Sequence, residues 1–195
     1  MNSRDKILHA VLNSQPSLMP LPDLSNFVGF YENTADQFIA VLTAIGGRGL
    51  KVSTWQQVKE DVLQAHPDVK RVVTLAPELE GGQFESLAGG ADAHLLENVY
   101  LAVVKAHFAV AENGAVWLTE DLMGLRVLPF ICEHLAVVVS AKDILPTMHE
   151  AYKNIGQGGY GFAAFIAGPS KTADIEQSLV LGAHGPRSMT VYLMD

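Results

Sequence analysis

The chain has 195 residues, of which 49% are hydrophobic and only 17% charged. That length suits one large domain with an ample apolar core, without disulfides or structural metals. Its 13 basic and 21 acidic residues give a net charge of -8 with no basic run to offset it, which argues against nucleic acid and anionic membrane as partners.

The mean hydropathy of +0.20 agrees with a largely interior chain. A single cysteine, Cys132, rules out an internal disulfide and an iron–sulfur cluster held by this chain alone, which needs about four thiolates. No apolar run approaches the roughly 18 residues of a membrane span, and the N-terminus is amphipathic, without the continuous apolar stretch of a signal peptide. A soluble, cytoplasmic protein is expected.

In chain order, "SRDKILHAVLNS" places Ile7, Leu8, Val11 and Leu12 on one face, the spacing of a helix. Pro16, Pro20 and Pro22 punctuate the connector that follows, so residues 1–33 read as a helix and a proline-spaced arm leading into a single domain over 1–195. "TADQFIAVLTAIGG" predicts a helix with Thr34 as N-cap and Gly46 as its stop. "GLKVS" predicts a strand, "TWQQVKEDVLQAHP" a helix with Trp55, Val58, Val62 and Leu63 apolar, and "VKRVVTL" a strand. This alternation predicts an α/β fold, three layers α/β/α around a mostly parallel sheet.

The middle departs from that rhythm. Residues 76–94 form a polar, Gly-rich loop, and "LENVYLAVV", "HFAVAENG" and "AVWLTED" are strand-like runs with little room for helices. "HLAVVVSAKDIL" is a buried strand, "PTMHEAYKNI" a helix, "GQGGYG" a joint, and "GFAAFIAG" and "MTVYLMD" the last strands. Between those two lies "GPSKTADIEQSLVLGAHGPRSM", with a short helix expected from about Ala173 to Leu181.

Strand-to-helix turn chemistry accounts for the glycines and prolines of the two Gly-Pro turns, Asp174 and Thr172 in that stretch, the acid sitting where a helix dipole favours it. It does not account for Lys171, His184 and Arg187. Residues 168–174 follow a strand and are expected at the carboxyl end of the sheet, where α/β folds bind ligands; 184–187 precede one and are expected at the opposite edge unless folded back. Gly168, Ser170, Lys171, Thr172 and Asp174 are therefore candidates for holding a small anionic substrate, with Lys171 as the point charge and Asp174 ordering the loop. The second candidate is Glu112, delivered between two apolar runs in "HFAVAENGAVWL" as a nucleophile, base or polar anchor, with Gly114 in the same turn. On spacing alone an Asn-Gly hairpin is the better explanation of this segment, and the turn can still present the acid. Seven scattered histidines offer no metal motif, Cys132 and His134 are expected on one face of a strand as core thiol and strand-end imidazole, and no cofactor is called for.

The stretch "GPSKTADIEQSLVLGAHGPRSMTVYL" resembles the C-terminal signature of the LUD-domain family, in its lactate utilization protein C branch, and "AHFAVAENGAVWL" and "EHLAVVVSAKDILPTM" agree. The resemblance implies a fold similar to the sugar-isomerase and CoA-transferase-like superfamily. It also implies a cluster-free part in oxidising L-lactate to pyruvate beside iron–sulfur partner proteins. His184 and Arg187 are nominated as ligand-binding through this signature. Ala111-Glu112-Asn113-Gly114 is similar to the Ser-Glu-Asn-Gly turn that carries the acyl glutamate of CoA-transferases, with Ala in place of Ser. A free-standing acyl-transferase-like or sugar-phosphate-isomerase-like enzyme using Glu112, and a non-catalytic assembly subunit, are the alternatives.

Overall fold

The computed structural model describes residues 2–20, 22–23, 29, 31–87, 92–156, 158–172 and 179–195. In chain order the elements are α1 (Ser3–Asn13), α2 (Thr34–Ala44), β1 (Arg48–Val52), α3 (Trp55–Ala65), β2 (Val72–Thr74), β3 (Phe84–Ser86), β4 (Leu101–Lys105), β5 (Phe108–Val110), β6 (Ala115–Thr119), α4 (Glu120–Met123) and α5 (Leu128–Ile131). They continue with β7 (His134–Ser140), β8 (Ile144–Leu145), α6 (Met148–Ile155), β9 (Ala163–Ala167), β10 (Lys171–Thr172), β11 (Val180–Leu181) and β12 (Ser188–Met194).

Local chemistry fixes where the helices begin. The Asn33 amide oxygen accepts the N–H groups of Ala35 and Asp36, so Asn33, one residue before the expected Thr34, caps α2. Thr54 and Thr147 cap α3 and α6 by accepting the N–H groups of Gln57 and Glu150. At the far end of α2, Gly46 takes a φ of +90° and closes the helix.

Short β-branched runs become strands of a six-stranded sheet in the order β1-β12-β7-β4-β2-β3, every pair parallel. Leu101, His134 and Ser188 stand in one row across it. A second sheet, β8-β5-β6-β9, is built on the antiparallel β5–β6 hairpin. Alternation along the central strands gives the main sheet two apolar faces, as expected of a parallel sheet covered on both sides. One face, with Leu101, Val103, Ala136, Val138 and Tyr192, packs under Val58 and Val62 of α3. The other, with Ala102, Val104, Leu135, Val137 and Val191, packs against Phe38 and Leu42 of α2 and against Ala109, Val116 and Leu118 of the second sheet. A third apolar cluster joins the outer side of that sheet, through Phe108, Val110 and Trp117, to Ala151 of α6.

The α/β class and the mostly parallel central sheet are borne out. The layer facing α3 across the main sheet is α2 together with a second sheet, because the runs that become β5 and β6 pair with each other while β4 joins the main sheet. The expected helix ending near Leu181 is replaced at its end by strand: Lys171 and Thr172 pair antiparallel with Leu181 and Val180, and residues 173–178 lie outside the described residues. The predicted N-terminal helix is present as α1, yet none of its residues is buried, and Ile7 and Leu12 are 63% and 70% exposed. Among the described residues no helix is long and apolar enough to cross a membrane.

Phe38 is fully buried where α2 meets both sheets. Phe38→Ala is expected to lower stability by about 3–5 kcal/mol in urea unfolding, the cost of lost transfer energy plus a cavity.

Candidate functional site

The β5–β6 hairpin turns at Glu112 to Gly114, where the Gly114 N–H donates to Val110 O at 3.0 Å and the Asn113 side chain accepts the Ala115 N–H at 3.1 Å. Since β6 pairs with β9 from Ala115↔Ala167, the chain leaving β9 at Gly168 emerges beside this turn. Both turns press on the end of α2. A Cβ on Gly114 would lie 3.1 Å from backbone atoms of Leu42, and one on Gly168 would lie 3.2 Å from Ile45, with φ of +69° and +70°. Only glycine satisfies the handedness and the approach together.

These contacts bring most of the nominated residues to one edge. The Glu112 carboxylate accepts the Met148 N–H at 2.7 Å, so it holds the first turn of α6 where a helix favours negative charge. The Ser170 N–H donates to Pro186 O at 2.8 Å and the Gly182 N–H to Ser170 O at 3.0 Å, which folds His184–Arg187 back beside Ser170. Thr172 continues the ribbon through its pairing with Val180. Lys171 is exposed, and its ammonium lies 3.3 Å from where a Cβ on Gly46 would sit, one residue past the C-cap of α2. The negative end of that helix favours the cation. Among the described residues no carboxylate forms an ion pair with Lys171. His184 is exposed, Arg187 faces Glu133 at 3.8 Å on the surface, and Asp174 lies outside the described residues.

This edge is the amino end of the main sheet, not the carboxyl end expected. Gly46 precedes β1, Pro186 precedes β12, and the Arg187 N–H donates to Glu133 O just before β7. The strand that feeds Gly168 belongs to the second sheet, so the rule for parallel strands does not govern it. Gly114→Ala is expected to destabilise by at least about 1–2 kcal/mol, the left-handed backbone cost alone, read as a lowered urea midpoint.

Two polar clusters escaped the sequence reading. On the α3 face, His66, Tyr100 and His134 meet with ring centroids 4.5–5.7 Å apart, and His134 Nδ1 is 2.7 Å from Ser188 Oγ. Beside them Asp61 accepts from Arg48 at 2.5 and 2.9 Å and from the Tyr192 hydroxyl at 2.7 Å. Burial opposes ionisation of Asp61, but those hydrogen bonds win and hold its carboxyl below the usual range. The expectation that His134 and Cys132 share a strand face is not met: β7 starts at His134, and Cys132 is the C-cap of α5, buried between the sheets. Burial pushes its thiol up to about 12.

At the far end of β6, the Thr119 hydroxyl donates to the Asp121 carboxylate, which that bond holds below its usual range, and lies 2.6 Å from His107 Nε2. Hairpin symmetry was the available signal: a turn centred on Asn113 sets His107 next to Leu118 and Thr119. Among the described residues no three His, Cys, Asp or Glu side chains are arranged to hold a metal.

Burial and Arg48 lower the pKa of His66, and burial and His66 lower that of His134. Below the ordinary imidazole value of about 6.5 the unfolded chain therefore binds more protons than the folded one. Their contribution is intact above that value and fades as pH falls through the lower folded values. The melting temperature is expected to drop on acidification below about 6.5, with a shallower slope in His66→Phe; equal slopes in both proteins would remove the effect.

The LUD domain profile matches residues 35–194. The chain is 32% identical over 124 residues to Lactate utilization protein C of Bacillus pumilus, covering 57% of this chain and 52% of that one. It is 26% identical over 126 residues to Lactate utilization protein C of Oceanobacillus iheyensis, covering 62% and 54%. The chain thus spans about half the length of the curated relatives it matches. A crystal structure of a DUF162 family protein from Deinococcus radiodurans superposes with a TM-score of 0.66 at 17% identity, covering 83% of this chain and 96% of that one, a likeness of fold. With the family profile covering α2 through β12, the chain belongs to the LUD-domain family.

Proposed function

We propose that this chain is a cluster-free component of a lactate utilization system in the cytoplasm, acting beside iron–sulfur partner proteins in oxidising L-lactate to pyruvate. Family membership and the lactate utilization C proteins among its relatives support that setting. The one cysteine is buried and its thiol strongly disfavours ionisation, so a cluster would come from another chain.

The observation that carries a ligand role is the convergence of two glycine turns on the end of α2, with Lys171 beside them. In this reading Lys171, flanked by Ser170 and Thr172, meets the carboxylate of a small acid. Glu112 keeps the edge in place through its bond to the Met148 N–H. Gln at 112 preserves that acceptor and removes only the charge. A non-catalytic assembly role is the second reading, favoured by the uncovered stripe of Ile7, Leu8, Val11 and Leu12 on α1.

Tagged chain purified from source cells grown on L-lactate, with iron and labile sulfide assayed, tests the proposal. Iron–sulfur chains are expected in fixed ratio. Lys171→Ala is expected to lower lactate oxidation by that assembly at least about tenfold, the loss of one charge-assisted bond; Glu112→Gln separates a reactive carboxylate, which it abolishes, from a positioning one. A chain arriving alone and iron-free would refute the complex. An intact assembly indifferent to Lys171→Ala would leave the second reading.

A further inference from the structure

The end of the second sheet opposite Lys171 has a chemistry of its own. It lies near the carboxyl end of β4, since His107 follows that strand by two residues and the Ala106 N–H still bonds to Val138 O of β7. On the outer side of this end, Phe108 and Trp117 face away from the main sheet and pack toward Ala151 of α6.

A cleft of about 360 Å³ opens here, lined by His107, Trp117, Thr119, Asn154, Ile155 and Tyr160 among others. Its size is that of a small-molecule site. A neighbouring cleft of about 480 Å³ holds Glu120 and Arg126, but these pair with each other at 2.6 Å, and Glu120 also accepts the Gly161 N–H. The smaller cleft has the more defined polar geometry.

Thr119 is 7% exposed, and its hydroxyl has one proton, which goes to Asp121. The oxygen can only accept from His107, so Nε2 carries the ring proton in the neutral imidazole and Nδ1 is left as an acceptor. Asp121 thus sets the tautomer through Thr119. Asn154 adds an exposed amide with donor and acceptor sides. No Lys or Arg is among the described residues lining the cleft, so it offers a phosphate or carboxylate no fixed cation.

The apolar wall narrows the choice further. Trp117 and Tyr160 meet edge to face, 5.7 Å apart at 73°, and Tyr160 is 38% exposed. Two perpendicular rings leave no parallel slot for a flat base between them; Tyr160 is the ring open to C–H groups, and Trp117, 9% exposed, backs it.

We propose that this cleft binds a neutral, ring-shaped polyol of monosaccharide size, its hydroxyls meeting His107 Nδ1 and Asn154 and its C–H face resting on Tyr160, with Trp117 behind it. The site is independent of the Lys171 edge: Ala115 and Thr119 stand at the two ends of β6, roughly 13 Å apart at about 3.3 Å per residue.

Trp55 and Trp117 are the chain's two tryptophans, so Trp55→Phe leaves Trp117 as a reporter in the cleft. The full chain carrying that change is titrated with glucose, galactose and mannose, and with glycerol, adenosine and L-lactate as contrasts. A saturable change in Trp117 emission with at least one hexose is expected. Asn154→Ala and Tyr160→Ala are expected to weaken it roughly fivefold or more at unchanged melting temperature, His107→Phe to do likewise, and Lys171→Ala to leave it unaltered. No hexose response, a response to adenosine or glycerol alone, or hexose binding indifferent to both Asn154→Ala and Tyr160→Ala would each overturn the proposal. None of those outcomes touches the lactate reading, which rests on Lys171.

Discussion

The dry contact between the two sheets is what the rest of this protein depends on. Val104, Val137 and Val191 of the main sheet and Ala109, Val116 and Leu118 of the second are all fully buried, in one cluster with Phe38 and Leu42 of α2. Each fully buried aliphatic side chain contributes about 1.5–3 kcal/mol, whereas an unpaired polar group there would cost a comparable amount. No polar side chain chemistry can therefore sit along the middle of the hairpin. It is displaced to the two ends.

The hairpin converts that exclusion into organisation. Its strands run between the two edges, with Glu112 and Gly114 at the turn and His107 and Thr119 at the base. At the turn, close approach to α2 requires glycine at 114 and 168, and this contact draws the β9–β10 connection into register with the hairpin. At the base, the buried Thr119 hydroxyl is satisfied on both sides, by Asp121 and His107. Among the described residues no buried side-chain nitrogen or oxygen lacks a hydrogen-bond partner. Both ends are thus ordered before any ligand arrives.

The opposite face of the main sheet follows a different rule. Arg48, Asp61, His66, His134 and Tyr192 gather between α3 and the strand starts, where half-burial permits polar groups provided they pair. Asp61 stays ionised there because Arg48 and Tyr192 outweigh its desolvation, while the imidazoles, without comparable partners, are held toward the neutral form. Charge on this face bears on fold stability, and it touches the Lys171 edge through Arg187, whose charge also disfavours protonated His134.

Much of the architecture was legible from the sequence. Alternating helix and strand patterns gave the α/β class, the Asn-Gly pair gave the hairpin, and Gly46 marked the end of α2, because each signal is local and concerns backbone conformation or burial period. The sequence nominates Glu112 and residues 168–174 separately, each from its own turn; it is the β6–β9 ladder that sets Glu112 and residues 168–172 at one edge. What the sequence left open was which strands pair. The assignment of β9 to the second sheet moved Gly168–Thr172 to the amino edge, and strand pairing turned Val180–Leu181 from helix into ribbon. His107, Thr119 and Asn154, or His66 and His134, become neighbours only once distant elements pack. The sequence by itself determined the local elements and their turns; the tertiary structure alone decided which polar groups meet, since pairing is set by the burial of whole faces, which no short stretch encodes.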